Sequence, residues 1–299
     1  MIKAFLRLIL IGFFTCLVFA FILLGLRYLG DNRSFQSFDH PLLNLDKKYI
    51  FSKGGGLDSQ YPPYSLEALK WIIEKNDFIS LELPIIRTID GHWVIYPSFD
   101  LEDLTNKSGK IQLAKWEDIK ELDIGFHFKK DPSHSKSYNL VELEDVLKLV
   151  KDKPIILNFL DPQGKFAKEI SELETIQRNQ NHLIIRSTFA KFNREIKKLR
   201  PLWVMGSDLP SIERAKIYYH LGILSLFTFK EDIVFFKSTH EPNQDDMLVN
   251  FSNEISRQKR LMYLDTDSDL SELNSNLDFK NYQGIVTNYP LKYLSFFTE

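Results

Sequence analysis

Residues 49–70 read YIFSKGGGLDSQYPPYSLEALK. Tyr49–Ser52 is a short apolar run, Gly54–Gly56 are consecutive glycines, and Pro62-Pro63 sets a turn. Ser65 then opens a stretch with apolar residues three and four apart. The pattern predicts a strand, a loop and an amphipathic helix. Glycines directly behind a strand end let backbone amides approach a tight ligand, above all an anion. Lys53 adds a positive charge at the same place.

Outward from this stretch the unit repeats. Apolar runs rich in Ile, Val and Phe lie at 78–83, 93–96, 154–160, 182–186, 202–205, 223–229, 233–236, 261–264 and 284–287. Amphipathic stretches such as LVELEDVLKLV and KFAKEISELETI separate most of them. Runs that are apolar throughout predict strands buried on both faces, as a parallel sheet requires. About 250 residues of this alternation without a domain break predict an α/β fold, a closed (β/α)8 TIM barrel over residues 48–299. A doubly wound open sheet is the alternative. In a barrel, chemistry sits where strands end. The positions to examine are Ser52-Lys53-Gly54, Glu82 and Pro84, Pro97-Ser98, Asn158 and Leu160, and Ser187.

The N-terminus is different material. Leu8–Leu26 carries no charge in 19 positions, about 28 Å of helix at ~1.5 Å per residue, enough to cross a bilayer core. Residues 1–30 therefore predict a transmembrane anchor that meets the membrane through residues 8–26, with 31–47 as a linker. Lys3 and Arg7 ahead of the span favour a cytoplasmic N-terminus and a barrel outside the cytoplasm, periplasmic or extracellular. The rival is a cleaved signal peptide, whose small-x-small cleavage site FAFILLGLRYLG does not offer. Cys16, the single cysteine, lies inside the span, so the outer domain holds together without disulfides. The 38 basic and 40 acidic side chains fall to 34 and 39 once residues 1–33 are set aside. A mildly acidic surface gives no attraction for nucleic acid.

The strand ends resemble the glycerophosphodiester phosphodiesterase family. PPYSLEAL (62–69) is similar to its Pro-Glu-Asn-Thr-Leu-x-Ala-Phe. LELPIIRTIDGHWVIYPSFDLEDLTNKSG (81–109) is similar to its Glu-Leu-Asp-Val-x-x-Thr-x-Asp-Gly-x-x-Val-x-His-Asp and the following Leu-Asp-Arg-Thr-Thr-Asn-Gly-x-Gly. WEDIKELDIG (116–125), LVELEDVLKLVKDKPIILNFL (140–160) and GIVTNYP (284–290) follow in family order. The resemblance implies a TIM barrel of phospholipase-C-like phosphodiesterase type. It also implies hydrolysis of glycerophosphodiesters by two histidines, a phosphate-binding arginine and a divalent metal held by carboxylates.

Residue by residue, that machinery is not carried over. The first histidine falls on Ser52 and the arginine on Lys53, while the glycine stays as Gly54. The Glu of Pro-Glu-Asn-Thr falls on Pro63. The metal positions become Glu82, Pro84 and Asn158, the second histidine and its Asp become Pro97 and Ser98, and a nearby lysine becomes Leu160. Serine and proline cannot shuttle protons near neutral pH. One carboxylate with one amide is a poor cage for Ca²⁺ or Mg²⁺. No catalytic residue is intact, no cofactor is expected, and Ca²⁺ or Mg²⁺ would enter only if a hydrolase survives. Lys53 and Gly54 are the phosphate-binding candidates, with Glu82 expected to pair with Lys53.

His92 is at the wrong end of its strand to substitute. His127 and His134 lie in a polar loop, and His40, His182, His220 and His240 lack ligand-spaced partners. Asp265 and Asp267 could face the mouth, but they read first as caps of a following helix. The expectation is a membrane-anchored pseudoenzyme that binds a phosphate-bearing headgroup or an envelope protein. The alternatives are a diverged phosphodiester hydrolase and a structural envelope protein.

Overall fold

The computed structural model describes residues 2–44, 47–128, 136–150, 153–161, 164–237, 244–267 and 282–296. Helix α1 (Ile2–Asp31) is followed by β1 (Tyr49–Lys53), α2 (Leu66–Lys75), β2 (Ile79–Arg87), β3 (Trp93–Ile95), α3 (Trp116–Ile119), β4 (Val141–Glu142), α4 (Leu143–Leu149) and β5 (Ile155–Phe159). Then come α5 (Ala167–Glu172), α6 (Glu174–Asn179), β6 (Leu183–Arg186), α7 (Ala190–Leu199), β7 (Val204–Met205), α8 (Leu209–His220), β8 (Ile233–Lys237), α9 (Gln244–Arg257), β9 (Leu261–Thr266) and β10 (Gly284–Thr287).

Eight strands run parallel in the order β7-β6-β5-β2-β1-β10-β9-β8. The first unit and the last close on each other, Tyr49 opposite Gly284 and Ser52 opposite Thr287. At the remaining seam, the Asp232 amide donates to the Met205 carbonyl and the Ser207 amide to that of Ile233, both at 2.9 Å. The ring excludes the open doubly wound sheet. β3 and β4 form a small antiparallel addition on the extended end of β2.

Alternation along the strands sorts the core. Tyr49, Phe51, Ile156, Ile184, Val204, Phe235, Tyr263 and Val286 fill the barrel interior. Their neighbours Ile50, Leu81, Leu157 and Ile185 pack outward against the helices. The 223–229 run, expected as a strand, is a 3-10 turn at Leu224–Leu226 instead. Its backbone is taken up by a side chain: Gln258 accepts from the Phe229 amide at 2.9 Å and donates to the Phe227 carbonyl at 2.7 Å. Phe227 and Phe229 are buried in the layer between sheet and helices, so the run's apolarity serves burial without a ladder.

Helix α1 is long and apolar enough to cross a membrane, with residues 5–22 exposed along their whole length. The stretch expected as a linker packs under the barrel. Leu42 is 2% exposed within the interior cluster, and His40 accepts the Leu42 amide through Nδ1 at 3.2 Å. Burial holds the His40 imidazole below its ordinary pKa.

Candidate functional site

The period-two rule that fills the interior also chooses what stands at the mouth. Lys53 continues the inward face of Tyr49 and Phe51, Asn158 that of Ile156, Arg186 that of Ile184, and Asp265 that of Tyr263. Glu82 lies opposite Lys53 in the sheet register and joins them. At the strand ends these charges leave the apolar core and meet one another.

They form a connected cluster. The Lys53 ammonium donates to Asp265 Oδ1 and Asp267 Oδ1, both at 2.6 Å. Arg186 Nη1 donates to Asp265 Oδ2 at 3.2 Å, and its guanidinium lies 4.0 Å from the Phe235 ring centroid. Asp267 Oδ2 lies 3.2 Å from Lys237 Nζ, and Asn288 Nδ2 donates to Asp267 Oδ1 at 3.3 Å. Asn158 Nδ2 donates to Glu82 Oε1 at 3.0 Å. Glu82 therefore bonds Asn158, and the expected pairing with Lys53 is replaced by the two aspartates. The helix that Asp265 and Asp267 were expected to cap lies outside the described residues. Both carboxylates are mouth residues, placed there by β9 and its end.

The electrostatics follow from burial and charge. Asp265 is penalised by burial, yet Lys53 and Arg186 outweigh that penalty and hold its carboxyl below the usual range. Glu82 goes the other way, because burial outweighs the attraction of Arg186 and Lys53 and raises its pKa. Each proton Glu82 takes up leaves the cluster of Lys53, Arg186, Lys237, Glu82, Asp265 and Asp267 one positive charge in excess. A carboxyl with a raised native pKa binds more protons folded than unfolded, so stability falls as pH rises from the unfolded value of about 4.3 towards the raised one. Glu82→Gln should therefore flatten the pH dependence of stability over that window and stabilise the chain above it. Urea midpoints measured from pH 4 to 8 check this.

The glycine loop is less available than its sequence suggests. Gly54 has φ +57, and its amide donates to the Glu82 carbonyl at 3.2 Å. The Gly56 amide donates to the Lys53 carbonyl at 3.0 Å. The Tyr64 ring covers Gly54 so closely that an added Cβ would lie 2.1 Å from its Cε1. Gly54 thus serves a tight turn under a tyrosine, and its amide is spent within the chain. Ser52 falls on the outward face of β1, fully buried, its hydroxyl without a partner among the described residues. Pro97 follows β3, and Ser98 Oγ donates to the Asp100 carbonyl at 3.2 Å, in a turn.

The metal positions do not fit a hard cation. Glu82 is already bonded to Asn158, the Pro84 side chain has no donor atom, and Ca²⁺ asks for six to eight oxygens. Among the described residues no three His, Cys, Asp or Glu side chains converge as a metal site. Of the described histidines, His92 pairs with Glu142 at 2.6 Å, and His127 with the Glu102 carbonyl at 3.0 Å. His134 and His240 lie outside the described residues. Two buried polar atoms of the cluster, Arg186 Nε and Asn158 Oδ1, have no partner among the described residues. Beside the mouth, Ile85, Arg87, Trp93, Phe159, Leu160 and Phe166 help line a cleft of about 280 Å³.

No protein-family model matches the sequence, and no curated protein does. Solved structures do. The glycerophosphoryl diester phosphodiesterase domain of a Mycobacterium tuberculosis protein superposes with a TM-score of 0.62 at 15% identity, over 84% of this chain and 99% of that one. The fold is that of the glycerophosphodiester phosphodiesterases. A phosphodiesterase of this kind from Parabacteroides distasonis gives 0.61 at 17% identity, over 88% and 90%. A phosphodiesterase from Oleispira antarctica, solved with its product sn-glycerol-3-phosphate, gives 0.62 at 16%, over 87% and 100%. This barrel is a divergent version of the phosphodiesterase fold. Arg186 was missed from the sequence, although its place two residues beyond Ile184 on one strand face was a usable signal.

Proposed function

We propose that the chain is a membrane-anchored barrel, lying outside the cytoplasm, that binds a phosphate-bearing ligand at its mouth without hydrolysing it. One observation carries the reading. Two mouth aspartates sit on the chain's own lysine at 2.6 Å, so an internal cation takes up the carboxylates present. A general acid and base are missing from the family's positions, Ser52 and Pro97.

Asp267 is the exchangeable member. Its side chain is 52% exposed and bridges Lys53 and Lys237. A phosphate oxygen has the same charge and can replace it there. Arg186 Nε offers a further donor and Asn158 Oδ1 an acceptor for a ligand hydroxyl. The adjoining cleft suits a less polar part of the same ligand. Calorimetric titration of the full chain in detergent with sn-glycerol 3-phosphate and with inorganic phosphate tests the reading and separates an esterified from a free anion. Binding should tighten in Asp267→Asn, which removes the internal competitor, and be lost in Lys53→Gln. Heat indistinguishable from dilution for both ligands, with the unaltered chain and with Asp267→Asn alike, would defeat the reading.

The anchor is supported by the contacts of its last turn with the barrel, which cleavage would discard. A reporter that requires export, fused after Glu299, should be active. Activity of a cytoplasm-only reporter at that site would reverse the topology.

A further inference from the structure

The end of α1 is seated on the barrel. Gly30 is buried against Ser225, where an added Cβ would come within 2.4 Å of Oγ and 2.7 Å of the backbone carbonyl carbon. Ser225 Oγ donates to the Arg27 carbonyl at 3.4 Å, and Arg33 Nη1 to that of Leu226 at 3.0 Å. Arg257, the last residue of α9, donates to the carbonyls of Arg33 at 3.0 Å and Asp31 at 3.4 Å. These partners, Ser225, Leu226 and Arg257, lie before β8 or just before β9. They belong to the barrel's base, where strands begin. The charge cluster lies where strands end, at the opposite face.

The surface around the exit of α1 has its own character. Leu199 at the end of α7 and Leu202 and Leu221 in the segments entering β7 and β8 are exposed, at 44%, 68% and 47%, and Lys230 and Lys259 are exposed in the segments entering β8 and β9. Exposed leucines flanked by lysines are the composition of a face that rests in a lipid headgroup region, apolar side inward and ammonium groups on anionic headgroups. The position of this patch beside the exit of a membrane-length helix identifies what covers it.

We propose that the barrel sits base-down on the bilayer that α1 crosses, with the β7–β9 entry loops in the headgroup layer and the mouth turned away. Strands of five residues at ~3.3 Å per residue, tilted by about 36° to the barrel axis, place the mouth about 13 Å above the base before the loops at either end are added. The mouth therefore meets ligands from the aqueous phase or an opposing surface, and headgroups of the anchoring bilayer are out of its reach. The inference rests on α1 being an anchor and is independent of what the mouth binds.

The test uses the full chain with Cys16→Ser and single cysteines at Leu202→Cys or Leu221→Cys in the base, or Leu113→Cys at the mouth. Leu113 is 70% exposed and lines the cleft beside the mouth. Each variant carries an environment-sensitive fluorophore and is reconstituted into phosphatidylcholine–phosphatidylglycerol vesicles containing nitroxide-labelled lipid. Vesicle flotation is scored in parallel. The base labels should lose most of their emission and shift to the blue, while the Leu113 label keeps both intensity and colour. Quenching of the Leu113 label equal to that at the base, or no quenching at any site in chains that float, would overturn the orientation. Chains that fail to float with the vesicles would instead remove the anchor on which it rests.

Discussion

Asp265→Ala should destabilise the chain by about 3–5 kcal/mol, the cost of leaving buried charge uncompensated. Asp265 accepts from Lys53 at 2.6 Å and from Arg186 at 3.2 Å, and the side chains of those cations are only 16% and 6% exposed. Without the aspartate, Arg186 keeps a full charge against the Phe235 ring and loses its one close anion among the described residues. Domains are stable by only ~5–15 kcal/mol, so the loss is a large share of the total. Asp267→Ala, at a half-exposed position, should cost no more than about 1 kcal/mol. Combining Asp265→Leu with Lys53→Met and Arg186→Met should be less damaging than Asp265→Ala alone, because it removes the charges together with their desolvation cost.

The pH dependence has a fixed sign. Asp265 has a depressed native pKa, so its contribution is present above the unfolded value of about 3.9 and disappears as pH falls through the lower native value. Urea unfolding of the full chain at pH 7 and at pH 3 should show the penalty of Asp265→Ala shrinking in acid. A penalty independent of pH would mean that lost packing, and not charge, is responsible.

The barrel was legible in the sequence because parallel strands are buried on both faces and therefore read as uninterrupted apolar runs. The same property misled at 223–229, where a buried turn is as apolar as a strand and Gln258, 29 residues away from Phe229, satisfies its backbone. Positions at the mouth were legible as positions, since each strand end follows from its strand. Their partners were not. The sequence leaves open whether Lys53 meets Glu82 on the adjacent β2 or Asp265, 212 residues away on β9, because lysine is long enough to reach either. Ring closure and burial decide it. Gly54 likewise announced a tight loop but not its cover, and Tyr64, held at φ +68 in that turn, has a backbone conformation no local pattern would suggest.

The second large effect concerns catalysis. Hydrolysis of a phosphodiester needs a cation to neutralise the phosphate and a group to protonate the leaving oxygen. In this barrel Glu82 is bonded to Asn158, the remaining metal positions offer Pro84 and an amide, and Ser52 points away from the mouth. Loss of a general acid or base alone costs ~10²–10⁴ in rate, and the proposed function takes both to be absent together with the metal cage. Restoring one group, as in Ser52→His, should recover nothing, because that side chain would face the helices.

The most direct measurement is turnover of glycerophosphocholine and related diesters by the full chain in detergent, with Ca²⁺ or Mg²⁺ and with a chelator. Product release should equal that of buffer under every condition. Chelator-sensitive release that disappears in Glu82→Ala would contradict it.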